Sequence, residues 1–199
     1  IAGAVGKTAQ AVEEARTARA MGYHAVLLSL AAMKGASEDE LIEHCTAVAQ
    51  EMPLVGFYLQ TAVGGIPLSR AFWARFAAID NVVAIKVAPF NRYRTLDVAF
   101  GIAQAHAEDR ITLYAGNDDH IVADLVTPLV VRTGNREITL RFQGGLLARS
   151  REEARRSGAA RPHREEGLDA AGDGPAPARL HAHARDAVEV ALARSHQRV

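Results

Sequence analysis

From its first residues to about Gln143 the chain alternates short β-type runs with stretches that repeat apolar residues at helical spacing. This alternation constrains the fold more than any other feature. Parallel strands cannot be joined by a tight turn and need a crossover of a dozen or more residues, most often a helix, so successive βα units imply a parallel sheet. Ile1 to Val5 reads as the tail of a strand. Thr8 to Met21 reads as a helix with Thr8 as N-cap and Gly22 just past its end. A strand at Ala25 to Leu30 leads to a helix opened by Ser37 and Glu40 at capping-box spacing, with Leu41, Cys45 and Val48 on one stripe. Strands at Leu54 to Leu59, Val82 to Val87 and Ile111 to Ala115 alternate with helices begun by Ser69 and running over Thr95 to Ala107. Asp118 to Leu125 reads as a short helix, and Leu129 to Arg132 with Glu137 to Phe142 reads as a hairpin turning at Gly134 and Asn135.

The 199 residues are 49% hydrophobic and 23% charged, enough apolar material for one domain with a core. Basic and acidic residues both number 23, which gives no reason to expect a nucleic-acid or membrane partner and leaves a small molecule as the expected one. The longest apolar runs are far too short to span a bilayer. The single cysteine, Cys45, excludes an intrachain disulfide and fits a cytoplasmic setting. The opening residues already read as a strand end, so the chain is expected to be a fragment.

Beyond residue 147 the character changes. No aromatic residue of the Phe, Tyr or Trp type follows Phe142, and Ala, Arg, Gly, Pro and His dominate. The expected organisation is one α/β domain over residues 1–147 and a disordered tail over 148–199, with Ala182 to Arg194 as its one short helix. A frameshifted end would produce the same composition.

Lysine is scarce, with only Lys7, Lys34 and Lys86 against 20 arginines. Lys86 sits inside an apolar strand, where period-two alternation puts Val83, Ile85 and Val87 on one face and Ala84, Lys86 and Ala88 on the other. Small neighbours leave space around the amine, and burial lowers its pKa toward the range of a lysine nucleophile. Tyr58, near the end of the preceding strand and 28 positions before Lys86, is expected to meet that amine over one small substrate and to shuttle protons.

Three segments carry a family resemblance: Val55-Gly56-Phe57-Tyr58, Asn81-Val82-Val83-Ala84-Ile85-Lys86, and Leu113-Tyr114-Ala115-Gly116-Asn117-Asp118-Asp119. Together they resemble the dihydrodipicolinate synthase and N-acetylneuraminate lyase family. The resemblance implies a (β/α)8 TIM barrel of which this chain supplies about six units over Ile1 to Phe142. It also implies Lys86 as the residue forming an imine (Schiff base) with a 2-oxo acid such as pyruvate, or with an aldehyde. Tyr58 would be its proton-handling partner and Gly116 and Thr61 its substrate-side neighbours, with no cofactor and no metal. Full-length relatives are expected to be homo-oligomers. The carboxylate-binding Thr-Gly-Glu loop of the family would fall before Ile1. Ala32 and Met33 stand where a tyrosine pair is common, and Val63 where the synthases hold an aldehyde's carboxylate with arginine. A lyase or aldolase other than a dihydrodipicolinate synthase is therefore expected, with an inactive barrel fragment as the alternative. A partial barrel would leave two sheet edges unpaired, which predicts marginal stability or aggregation.

Other motifs point elsewhere. Gly3-Ala4-Val5-Gly6-Lys7-Thr8 resembles the end of a P-loop. Asp118, Asp119 and His120 are metal-type residues, but aspartates at a helix start are better read as caps for its amides, and His181 and His183 lie in the polar tail.

Overall fold

The computed structural model describes residues 1–146. The tail expected over 148–199, with its helix and with His181 and His183, lies outside the described residues. Thirteen main elements follow in order: β1 (Ala2–Ala4), α1 (Thr8–Ala20), β2 (Val26–Leu28), α2 (Glu38–Ala49), β3 (Leu54–Leu59), α3 (Arg70–Ala77), β4 (Val82–Ala88), α4 (Arg92–Gln104), β5 (Thr112–Ala115), α5 (Ile121–Val126), β6 (Leu129–Thr133), β7 (Arg136–Leu140) and β8 (Phe142–Gly145). Six strands make one parallel sheet in the order β1-β2-β3-β4-β5-β8, and β6 and β7 pair antiparallel as a separate hairpin. The chain is an α/β protein with the architecture of a partial (β/α)8 barrel.

Local chemistry sets the helix starts. The Ser37 hydroxyl accepts from the Glu40 amide while the Glu40 carboxylate accepts from the Ser37 amide, so two of the donors orphaned at the start of α2 are satisfied reciprocally. Ser69 caps α3 through the Phe72 amide, and Asn91 caps α4 through the Arg94 amide, which starts that helix three residues before the Thr95 expected from sequence. Thr8 is the exception among the expected caps. It is the first residue of α1, and its hydroxyl bonds His44 Nδ1 at 3.0 Å instead of a helix amide.

Two further expectations change. Asp118 to His120 form a turn, and the helix begins at Ile121. The run Glu137 to Phe142 is not one strand. The hairpin ends at Leu140, and Phe142 opens β8, which returns to the main sheet beside β5.

The two faces of the sheet have different company. On the outer face Val26, Leu28, Leu54, Tyr58, Ile85, Val87 and Leu113 pack with helix residues such as Leu41, Phe72, Trp73, Phe76, Val98 and Ile102. Each large apolar side chain buried here contributes roughly 1.5–3 kcal/mol relative to exposure, so this layer holds the helices to the sheet. The inner face carries a smaller cluster of Ala25, Val55 and Ala84, bordered by Leu27, Val83 and Tyr114. Small side chains there leave room in front of the central strands.

Candidate active site

Lys86 lies in the middle of the parallel sheet and is 2% exposed. Its partners across the ladders are Phe57 on β3 and Tyr114 on β5, so all three side chains issue from the inner face. The Phe57 ring centroid is 4.7 Å from Lys86 Nζ, within the range of a cation–π contact. No carboxylate makes an ion pair with Lys86 among the described residues. Burial therefore dominates the electrostatics and lowers the amine pKa from its ordinary value, opposed in part by the negative charge of Asp118.

Tyr58 does not meet this amine. The β3–β4 ladder pairs Leu54 with Val82, then shifts by one so that Val55 pairs with Ala84 and Phe57 with Lys86. Val83 is the extra residue of a bulge, and a one-residue slip exchanges the faces of everything beyond it. Tyr58 consequently points to the helix side. Its ring packs on Trp73 at 4.9 Å, and its hydroxyl donates to the Leu68 carbonyl at 3.3 Å. Burial raises its pKa, with the Leu68 backbone hydrogen bond opposing.

Gly116 does stand beside Lys86. A Cβ at Gly116 would lie 2.9 Å from Lys86 Cε and 2.9 Å from Ala88 Cβ, so only glycine leaves the lysine stem this path. Thr61 is exposed on a single helical turn, Thr61–Val63, just past β3. It belongs to the rim at the C-terminal ends of the strands, not to the immediate surroundings of the amine.

Beyond Gly116 the chain builds a buried polar clamp that sequence reasoning missed. Asn117 accepts from the Phe90 amide at 2.9 Å and donates to Asp124 at 2.9 Å, and Arg92 donates to the other Asp124 oxygen at 2.8 Å. Asp124 is 3% exposed, so its charge is held by these two donors. The clamp ties the loop after β4 to the turn after β5, and Phe90 takes a positive φ of 51° there. A cavity of about 410 Å³ opens between these segments, lined in part by Arg92, Asp119, His120 and Asp124.

The competing motifs resolve differently. In the P-loop-like segment the Glu14 carboxylate accepts from the Val5 amide at 2.8 Å and from the Gly6 amide at 3.2 Å. Those are amides a phosphate would require, and the protein's own anion takes them. Asp118, Asp119 and His120 do not converge with a further ligand, since no group of three or more His, Cys, Asp or Glu is placed to hold a metal among the described residues. The thiol of buried Cys45 is pushed up to about 12, the opposite of an activated nucleophile.

Three comparisons bear on this arrangement. The sequence profile of the dihydrodipicolinate synthetase family matches residues 1–128. A 4-hydroxy-tetrahydrodipicolinate synthase from Sorangium cellulosum is 30% identical over 155 residues, covering 72% of this chain and 50% of the relative. One from Lachnoclostridium phytofermentans is 29% identical over 117 residues, covering 58% of this chain and 38% of the relative. The chain thus spans half or less of the length of these curated relatives. Among solved structures, a monomeric dihydrodipicolinate synthase variant superposes with a TM-score of 0.53 at 22% identity, covering 59% of this chain and 40% of the other. The Thermotoga maritima dihydrodipicolinate synthase gives a TM-score of 0.52 at 22% identity, covering 59% and 40%. These structural likenesses are of fold. The profile match over most of the described residues, together with the Sorangium relative, shows that the chain belongs to the dihydrodipicolinate synthetase family.

Proposed function

We propose that this chain carries the amine of a class I lyase of the aldolase type, in which Lys86 forms a Schiff base with a small carbonyl compound, a 2-oxo acid in the first instance. The observation that carries the reading is the amine itself. Lys86 is 2% exposed, has no ion-pair partner among the described residues and has a lowered pKa, which together favour the neutral nucleophile relative to an ordinary lysine. The cation–π contact with Phe57 supports the same reading, because it favours the positive iminium that follows attack. Gly116 supports it by keeping the lysine stem unobstructed. The chemistry asks for no cofactor, since the imine is itself the electron sink.

The substrate is proposed to differ from that of the synthases. Val63, 60% exposed beyond β3, offers an apolar surface where the resemblance would place a carboxylate-holding arginine. A second reading, a catalytically inactive barrel, is favoured by Phe57, which faces the amine with no hydroxyl.

Incubation with pyruvate and borohydride, followed by peptide mass spectrometry, tests the proposal, with Lys86→Ala as control. A reduced adduct confined to Lys86 is expected. Folded protein that yields no adduct at Lys86 would leave the inactive reading in place.

A further inference from the structure

With Tyr58 on the helix side, the inner face still holds one phenol. The β4–β5 ladder runs from Ala84↔Thr112 to Val87↔Ala115 without a shift, so Tyr114 shares the face of Lys86 on the neighbouring strand. Adjacent strands lie about 4.8 Å apart, which brings the two side chains within reach of one small molecule. Tyr114 is half-buried, and its hydroxyl has no hydrogen-bond partner in the protein among the described residues. Glycine opposite makes space for its ring. A Cβ at Gly144 on β8 would come within 3.3 Å of Tyr114 Cε1 and 3.4 Å of Cδ1. The other three tyrosines are elsewhere: Tyr58 is committed to Leu68, and Tyr23 and Tyr93 are exposed, at 42% and 81%.

We infer that Tyr114 is the proton-transferring residue of the Lys86 imine chemistry, acting from the strand on the far side of the lysine from Phe57. The inference rests on the Schiff-base reading of Lys86. In the step assigned to it, the Lys86 nitrogen lone pair forms a C–N bond to the carbonyl carbon, leaving an alkoxide and an ammonium. The Tyr114 phenol protonates the alkoxide and recovers its proton from the nitrogen, giving the neutral carbinolamine. It then protonates the hydroxyl, the C–O bond breaks, water departs and the nitrogen lone pair closes the C=N bond of the iminium. The phenolate finally removes a proton from the carbon beside the iminium, which yields the enamine and restores the phenol. Amine and ketone have become enamine and water, with every proton accounted for.

Two signals in the full chain test the role of Tyr114: the Lys86 adduct trapped with pyruvate and borohydride, and deuterium exchange into the pyruvate methyl group in D2O followed by NMR. Tyr114→Phe keeps the ring against Gly144 and removes only the hydroxyl, and a thermal melt verifies that the variant folds. It is expected to form the adduct at equilibrium while its exchange rate falls about 100-fold, in the range of general acid–base catalysis. A structural role would lower the adduct yield and the exchange rate together, without this split. Tyr23→Phe, at the surface, keeps the wild-type rate. Wild-type exchange by Tyr114→Phe, or an equal loss with Tyr58→Phe, overturns the role of Tyr114 and leaves the imine reading standing. No wild-type adduct at Lys86 overturns both.

Discussion

The Phe57 ring lies 4.7 Å from Lys86 Nζ, across the β3–β4 ladder, and supplies an electron-rich face to whichever cation the nitrogen becomes. A desolvated cation–π contact is worth about 1–2 kcal/mol. Phe57→Leu should therefore lower the equilibrium yield of the Lys86 iminium about fivefold or more at fixed pyruvate. The same change should lower the amine pKa further, moving the rise of borohydride trapping to lower pH. Trapping curves that superpose on those of the unaltered protein would mean that the ring is packing only.

Gly116→Ala places a methyl group 2.9 Å from Lys86 Cε and 2.9 Å from Ala88 Cβ. Overpacking of this kind costs about 1–3 kcal/mol, so the variant should remain folded with a lowered midpoint in urea. Displacement of the lysine stem should reduce adduct formation at least tenfold. Full adduct yield in a destabilised variant would show that the stem has another path.

Lys86 also bears on stability. Its folded pKa is below the unfolded value of 10.5, so between the two the unfolded chain binds more protons and stability rises with pH. Its contribution is complete above 10.5 and is lost as pH falls through the folded pKa. Lys86→Met should raise stability at pH 7 by about 1–2 kcal/mol, a gain of the kind that accompanies removal of an active-site strain, and the gain should shrink toward pH 10.5. Urea melts at pH 7 and pH 10 measure both. A loss of stability at pH 7 would argue against the buried, unpaired amine.

His44 joins α1 to α2 through Thr8 and is 1% exposed. Burial lowers its pKa below 6.5, so the stability it provides is present above 6.5 and is lost as pH falls through the folded value. His44→Gln should flatten the decline in melting midpoint between pH 7 and pH 5. Parallel declines in both proteins would assign the acid sensitivity to other groups.

The succession of strands and helices was legible in the sequence because each unit has its own local signals, as in Ser37 with Glu40 before Leu41 and Cys45. The setting of Lys86 was legible for the same reason, from small residues on its own strand. The partner was not. Tyr58 and Phe57 are neighbours in the chain, and which one faces the lysine depends on the bulge at Val83, a relation between strands that one strand's periodicity does not contain. The clamp of Asn117, Asp124 and Arg92 was hidden likewise, since its members come from the turn after β5, from α5 and from the start of α4. Phe142 was read into the hairpin because only Arg141 separates it from Leu140, and a single residue carries no turn signature.

The hairpin has a consequence for which substitutions such a chain can absorb. Strands β5 and β8 pair directly, and everything between them is a detour that must only start and finish at their ends and present an apolar side to the helices. Here the detour is a six-residue α5 followed by β6 and β7, whose Leu129, Val131, Ile138 and Leu140 meet that demand. The family profile matches residues 1–128, and β6 begins at Leu129. The detour asks only for one greasy surface and two fixed endpoints, while the lysine, the register of β3, β4 and β5 and the glycine beside it leave no such latitude.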